Sequence, residues 1–109
     1  MSVVSVYCIF ASAEEAERIG RTLVEESLAA CINILGPCRS IYRWQGRIEE
    51  ADEAPAILKT SADRVDRLID RITRLHSYEV PAIAVWPVLK LPESYAEWVE
   101  MQTRSDPRV

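Results

Sequence analysis

The run from Arg47 to Thr60 places the hardest constraint on this chain, because it contains no Gly and a single Pro. It grows out of Ser40-Ile41-Tyr42-Arg43-Trp44-Gln45-Gly46-Arg47-Ile48-Glu49, where two flanks carrying Ile, Tyr and Trp surround Gln45-Gly46. Gly tolerates the positive φ of a tight hairpin turn, and the aromatic and β-branched flanks suit a pleated, half-buried surface. Read as one strand, residues 47–60 would be about 46 Å long at about 3.3 Å per residue. A domain of this length has a radius of gyration near ~13 Å and is about 34 Å across. Such a strand would overhang its own domain, and a lone two-stranded ribbon with open edges is marginal in water. A neighbouring copy of the chain is the economical way to complete it. The competing reading makes residues 49–53 an acidic loop and begins the strand at Ala56. Physics alone leaves the two open.

With 109 residues there is room for one domain and a respectable core. Residues 1–103 are read as that domain and 104–109 as a frayed tail, with fraying expected to set in at Thr103. The 49% apolar and 28% charged content is ordinary for a globular chain, and no apolar run approaches the ~18 residues of a membrane span. A net charge of −4, with the basic residues scattered among acids, argues against nucleic acid as a partner. The first ten residues lack a basic n-region and a small-residue cleavage site, so no secretion signal is expected there. Three cysteines (Cys8, Cys31 and Cys38) without a CxxC pair favour reduced thiols, and so a cytoplasmic location.

In chain order, Val3 to Phe10 is a nearly continuous β-prone run, as expected of a strand central in a sheet. Ser12-Ala13-Glu14-Glu15 fits a capping box. The helix it opens carries Ala16, Ile19, Leu23, Val24 and Leu28 on one face, with Glu14, Glu15, Glu17, Arg18 and Arg21 on the solvated side. Cys31–Leu35 reads as a second strand closed by Gly36-Pro37, and residues 56–60 as an apolar strand. Thr60 or Ser61 is expected to cap a second helix whose stripe is Val65, Leu68, Ile69, Ile72 and Leu75. His76–Pro81 is a polar turn into the strand Ile83–Trp86, which Pro87 ends or confines to an edge. Pro92 opens a short helix carrying Tyr95, Trp98 and Val99. The order β-α-β, hairpin, β-α-β and terminal helix is an α+β, split-βαβ plan of the ferredoxin-like kind, with both main helices on one face.

The chain contains no GxSxG, P-loop, dinucleotide fingerprint or HExxH, so no catalytic residues are assigned and no enzymatic activity is expected. A Cys31–His76 nucleophilic pair is the weaker reading, since free Cys is commonly a buried small hydrophobe. Thiolate and imidazole do suit copper or zinc, but a single His offers no close ligand pair. His76 is therefore either a ligand in a site built by several subunits or a polar turn residue bonded to backbone. Glu79 is a candidate partner for it. The acidic run 49–53 reads as a solvated face, and Tyr42, Trp44 and Tyr78 as anchors of subunit packing before pocket residues.

Leu28-Ala29-Ala30-Cys31-Ile32-Asn33, the hairpin block 40–49, Lys59-Thr60 and His76-Ser77-Tyr78-Glu79-Val80-Pro81 stand in an order and spacing that resemble the CutA family of divalent-cation tolerance proteins. The resemblance covers essentially the whole chain. It implies a trimeric assembly of ferredoxin-like subunits whose long hairpin strands pair across subunits, and an architecture similar to that of the PII signalling proteins. It also implies tolerance of copper and other divalent metals and no organic cofactor; of the copper-ligand positions of the family only His76 is kept, and Cys31 or Cys8 are the candidates to join it as metal ligands. A ligand cleft or subunit interface is implied at Tyr42, Trp44, Glu49, Lys59, Tyr78 and Glu79, and Lys59 points to a small anionic ligand. The remaining alternative is a scaffold for partner proteins. Four positions depart from the family pattern: Ser77 stands for Pro, Ala82 for Glu, Phe10 for the Cys of copper-binding members, and Leu75 for the first of their paired His.

Overall fold

Gln45 and Gly46 both adopt positive φ, 50° and 79°, as a two-residue hairpin turn of the primed type demands. Their conformation aligns β3 (Cys38–Trp44) with β4 (Arg47–Ser61), so that Trp44 faces Arg47, Tyr42 faces Glu49 and Cys38 faces Glu53. In the computed structural model, which describes residues 2–104, β4 is one unbroken strand of 15 residues. The acidic stretch 49–53 is strand and not loop. At about 3.3 Å per residue β4 is about 50 Å long, which accounts for the elongated 47 × 27 × 22 Å envelope of the subunit.

The inner half of β4 is flanked on both sides. On one side runs β1 (Val3–Phe10), antiparallel, from Val3 opposite Ser61 to Phe10 opposite Ala54. On the other runs β2 (Cys31–Ile34), with Cys31 opposite Lys59 and Ile34 opposite Ala56. β3 continues along the same edge as β2, but Leu35, Gly36 and Pro37 face only Ala54 and Pro55. That extra residue is a β-bulge, held by Leu35 N–H donating to the Pro55 carbonyl at 2.9 Å. β5 (Ile83–Pro87) closes the order β2-β4-β1-β5 as an edge strand, where the missing Pro87 amide costs nothing.

Side chains alternate across this sheet. Val6, Cys8, Phe10, Ala56 and Leu58 face α1 (Ala13–Glu25) and α2 (Val65–Leu75), meeting Ala16, Ile19, Leu23, Leu68 and Ile72 in the main core. The opposite face is covered only at one end, where α3 (Glu93–Gln102) sets Val99 against Val3 and Ala30. The split-βαβ expectation therefore holds.

Several local expectations do not. Thr60 spends its hydroxyl on the Leu28 carbonyl; Ser61 holds the N-cap position of a 3-10 turn (Ala62–Arg64) that leads into α2, but its hydroxyl pairs with Thr103 and makes no side-chain cap bond. Thr103 is buried and bonded to the Val99 carbonyl, so fraying does not begin there. Of the expected tail, residues 105–109 lie outside the described residues. Val24 is exposed, lying at the margin of the α1 stripe that buries Ala16, Ile19, Gly20 and Leu23. Ser27 closes that helix at φ 58°, with its N–H donating to the Val24 carbonyl and that of Leu28 to the Leu23 carbonyl. This is a Schellman end with Ser where Gly is usual.

Gly20 marks where α1 approaches the sheet most closely, since a Cβ there would lie 2.8 Å from both Cγ2 and Cδ1 of Ile32. Helix propensity alone favours Ala over Gly by about 1 kcal/mol, while overpacking costs about 1–3 kcal/mol. Gly20→Ala is expected to lower the urea midpoint; a raised midpoint would show that α1 can lift off the sheet freely.

Candidate functional site

Glu15 is expected from the sequence on the solvated side of α1, yet it is buried. The Ser12 hydroxyl accepts the Glu15 N–H at 3.1 Å, completing half of the capping box. The Glu15 carboxylate does not return to Ser12. It accepts from Ala11 N–H with Oε1 and from Ser77 N–H with Oε2, each at 3.0 Å. One side chain thus ties the end of β1 to the turn after α2. Burial alone would raise its pKa, but hydrogen bonds from the Ser77 side chain and from the Ala11 and Ser77 amides outweigh it, so the carboxyl is held below its ordinary value.

His76 ends α2 and lies under the same turn. Its Nε2 is 2.8 Å from the Ile9 carbonyl and its Nδ1 is 3.0 Å from Tyr78 N–H. A carbonyl can only accept and an amide can only donate, so the imidazole is neutral, with the proton on Nε2. The ring stacks on Phe10 with centroids 5.2 Å apart, and Tyr78 tilts against it at 4.8 Å. Phe10 therefore supplies the surface on which His76 rests.

This geometry speaks directly to the ligand set His76, Cys31 and Cys8. Both imidazole nitrogens are committed to backbone. Cys8 faces the helices and is fully buried; that burial, with Glu15 nearby, pushes its thiol up to about 12. Cys31 sits opposite Lys59, about 13 Å along β4 from the Ile9–Pro55 pair, with its sulfur 3.8 Å from the Tyr95 hydroxyl. The three do not converge within a subunit. Among the described residues no three His, Cys, Asp or Glu side chains gather as a metal site, and the residues present do not fit one.

What does converge is the cleft group, in part. Beyond the bulge, Ser40, Tyr42 and Trp44 of β3 share a sheet face with Glu53 of β4. The turn carrying Ser77, Tyr78 and Glu79 rises opposite them, and Ile9 and Ala82 form the floor of a cleft of about 560 Å³. Glu53 is only 7% exposed and accepts the Tyr78 O–H in a short hydrogen bond. Burial first, and then this bond and the Glu53 charge, hold the Tyr78 phenol well above its ordinary pKa.

Glu49 and Lys59 are not brought in. Glu49 sits beside Tyr42, four residues nearer the ribbon tip, and Lys59 is six residues the other way, about 20 Å from Glu53. From the sequence, Glu15 and Ser40 have no site role, and Glu53, expected on a solvated acidic face, is instead buried, because the turn at Tyr78 packs over it. The turn Gln45-Gly46 carries the signal for two of them, since its register sets Ser40 and Glu53 on the face of Tyr42 and Trp44.

A group whose folded pKa lies below its unfolded one gives stability that is full above the unfolded value and lost as pH falls through the folded one. For Glu15 that loss is expected below about pH 4.5, the ordinary value of the group. Glu15→Gln places an amide before two N–H donors and is expected to cost about 1–3 kcal/mol at neutral pH. It should also flatten the acid limb of a urea-midpoint profile, and an unchanged limb would contradict the role given to this carboxylate.

The comparisons with known proteins agree with this architecture. The family description "CutA1 divalent ion tolerance protein" matches residues 4–102. The "Divalent-cation tolerance protein CutA" of Pyrococcus horikoshii is 42% identical, over 94% of this chain and 99% of that protein. The crystal structure of CutA1 from Oryza sativa superposes with a TM-score of 0.92 at 29% identity, covering 97% of each chain. The structure described as the "Periplasmic divalent cation tolerance protein CutA" of Archaeoglobus fulgidus gives 0.90 at 34% identity, covering 94% of this chain and 99% of that one. With the family description matched over residues 4–102 and a relative 42% identical over nearly the whole of both chains, the chain belongs to the CutA1 family of divalent ion tolerance proteins.

Proposed function

We propose that this protein confers tolerance to divalent cations, copper among them, as a non-enzymatic homotrimer that holds metal between subunits and not within one. The observation that carries the reading is the ribbon. Past the Phe10–Ala54 pair, β4 runs on for seven residues with β3 on one side only. Ile41 and Ile48 stand 67% and 59% exposed, on the face of the ribbon opposite to Tyr42 and Trp44. A long, apolar, open-edged ribbon is a template for another chain, and closed cyclic symmetry satisfies all copies equally.

Metal between subunits follows from which ligands remain available. Cys8 is sealed and His76 is spent on backbone, whereas Cys31 and Cys38 are half-buried thiols. Cys38 lies directly across from Glu53, so thiolate and carboxylate sit side by side near the ribbon root, and copies from neighbouring chains would complete a set suited to soft or borderline metals. Three free thiols also support a reducing compartment such as the cytoplasm. Among the described residues no helix is long and apolar enough to cross a membrane.

A second reading is favoured by the cleft itself. Its 560 Å³ falls in the range of small-molecule sites, as for a binding module built on the plan of the PII signalling proteins.

Native mass spectrometry of reduced, metal-stripped protein titrated with copper tests the first reading. The expected spectrum is a trimer that takes up metal in step with its subunit count. Uptake should be lost in a Cys31→Ser, Cys38→Ser double variant and kept in His76→Gln. A trimer that stays bare, or one whose uptake depends on His76 alone, would contradict it.

A further inference from the structure

We infer that the cleft at the ribbon root selects a small organic cation, a protonated primary amine on a short apolar body. The inference rests on the second reading above, that this cleft is a ligand site. The cleft is about 560 Å³, within the range of small-molecule sites, so a bare metal ion would leave it nearly empty. Its chemistry is one-sided. Three aromatic rings (Tyr42, Trp44 and Tyr78) and two carboxylates (Glu53 and Glu79) line it, and among the described residues no Lys, Arg or His does.

Glu53 is the second, independent pointer to a ligand. It is more than nine-tenths buried, and its Oε2 is taken by Tyr78. Among the described residues its other oxygen has no hydrogen-bond partner. A buried carboxylate with an open oxygen in a water-accessible cleft asks for a charged N–H donor. The rings satisfy the remainder of such a ligand, since Trp and Tyr faces attract cations and their bodies pack against alkyl groups. Trp44 and Tyr42 are still 41% and 42% exposed, so their faces are open to contact.

An anion meets the reverse. The anionic ligand expected from Lys59 does not fit, because Lys59 is about 20 Å along β4 from Glu53. Arg47, opposite Trp44, is the nearest cation on that face by register, and Glu49, opposite Tyr42, offsets it. Glu53 and Glu79 would both repel an incoming carboxylate or phosphate.

Hexylammonium, hexanol and hexanoate share one body and differ in charge, so isothermal titration of the intact protein with each separates the possibilities. Hexylammonium is expected to bind saturably, one per subunit, at least tenfold more tightly than hexanol, with no binding of hexanoate. Glu53→Gln keeps an acceptor for Tyr78 but removes the charge, and is expected to weaken hexylammonium roughly tenfold, the scale of a charge-assisted hydrogen bond. Glu79→Gln, at an exposed turn position, is expected to weaken it roughly threefold without altering the fold. Saturable hexanoate or hexanol binding that equals or exceeds hexylammonium would leave a ligand cleft but overturn its selectivity for cations. No binding of any of the three would overturn the cleft reading as well. Hexylammonium affinity unchanged in both Gln variants would remove Glu53 and Glu79 from the site and overturn the inference.

Discussion

The length of β4 governs this structure. Eight of its residues, Ala54 to Ser61, pair with β1 and form the spine of the core, while seven more extend past the domain with β3 on one side. A single strand therefore belongs to two environments, and the bulge at Leu35–Pro37 is the joint between them. It is the place where the edge strand must gain a residue as it leaves the domain. The extra residue shifts the register and increases local twist. By that shift Ser40, Tyr42 and Trp44 come to share the face of Glu53, and a cleft exists at the root of the ribbon.

The wall opposite is held by two side chains that sequence patterns assign to other roles. Glu15 begins as half of a capping box and ends as a bridge between Ala11 and Ser77. His76 spends both ring nitrogens on backbone, one on Ile9 and one on Tyr78. Together they fix the turn that presents Tyr78 to Glu53. A buried polar network that satisfies its members specifies one arrangement, and here that arrangement leaves the imidazole without a lone pair for a metal. Phe10 gives the imidazole a stacking surface, and the residue before it, Leu75, is aliphatic. Position 76 is then structural within the subunit.

The secondary elements and the plan of the sheet were legible because periodicity and turn chemistry are local. Gln45-Gly46, Gly36-Pro37 and Pro87 each announce their role, and the apolar stripes of α1 and α2 follow a 3.6-residue period. The long strand was legible as a length, though acidic residues at 49–53 made a loop equally plausible until pairing decided it. Glu15 was not legible, since a Glu at the third position of a helix is ordinarily solvated, and only the return of the chain at Ser77 buries it. Lys59 was placed in the cleft by kinship of motif. Counting along β4 puts it at the far end of the same face. The three proposed metal ligands do not meet for a similar reason: Cys31 lies across the sheet from Cys8 and His76, and of those two Cys8 is sealed in the core and His76 is bonded to backbone, which composition does not reveal.

If the ribbon is completed by neighbouring copies, the amides of Arg47 to Glu53 should report it. In an antiparallel strand alternate N–H groups point toward β3 and away from it. Hydrogen exchange followed residue by residue across this segment tests the account most directly. The account predicts slow exchange for both alternating sets, the outward set being covered by a strand of another chain. Outward amides that exchange at the rate of an unfolded peptide, beside protected inward ones, would contradict it and leave β4 overhanging into solvent.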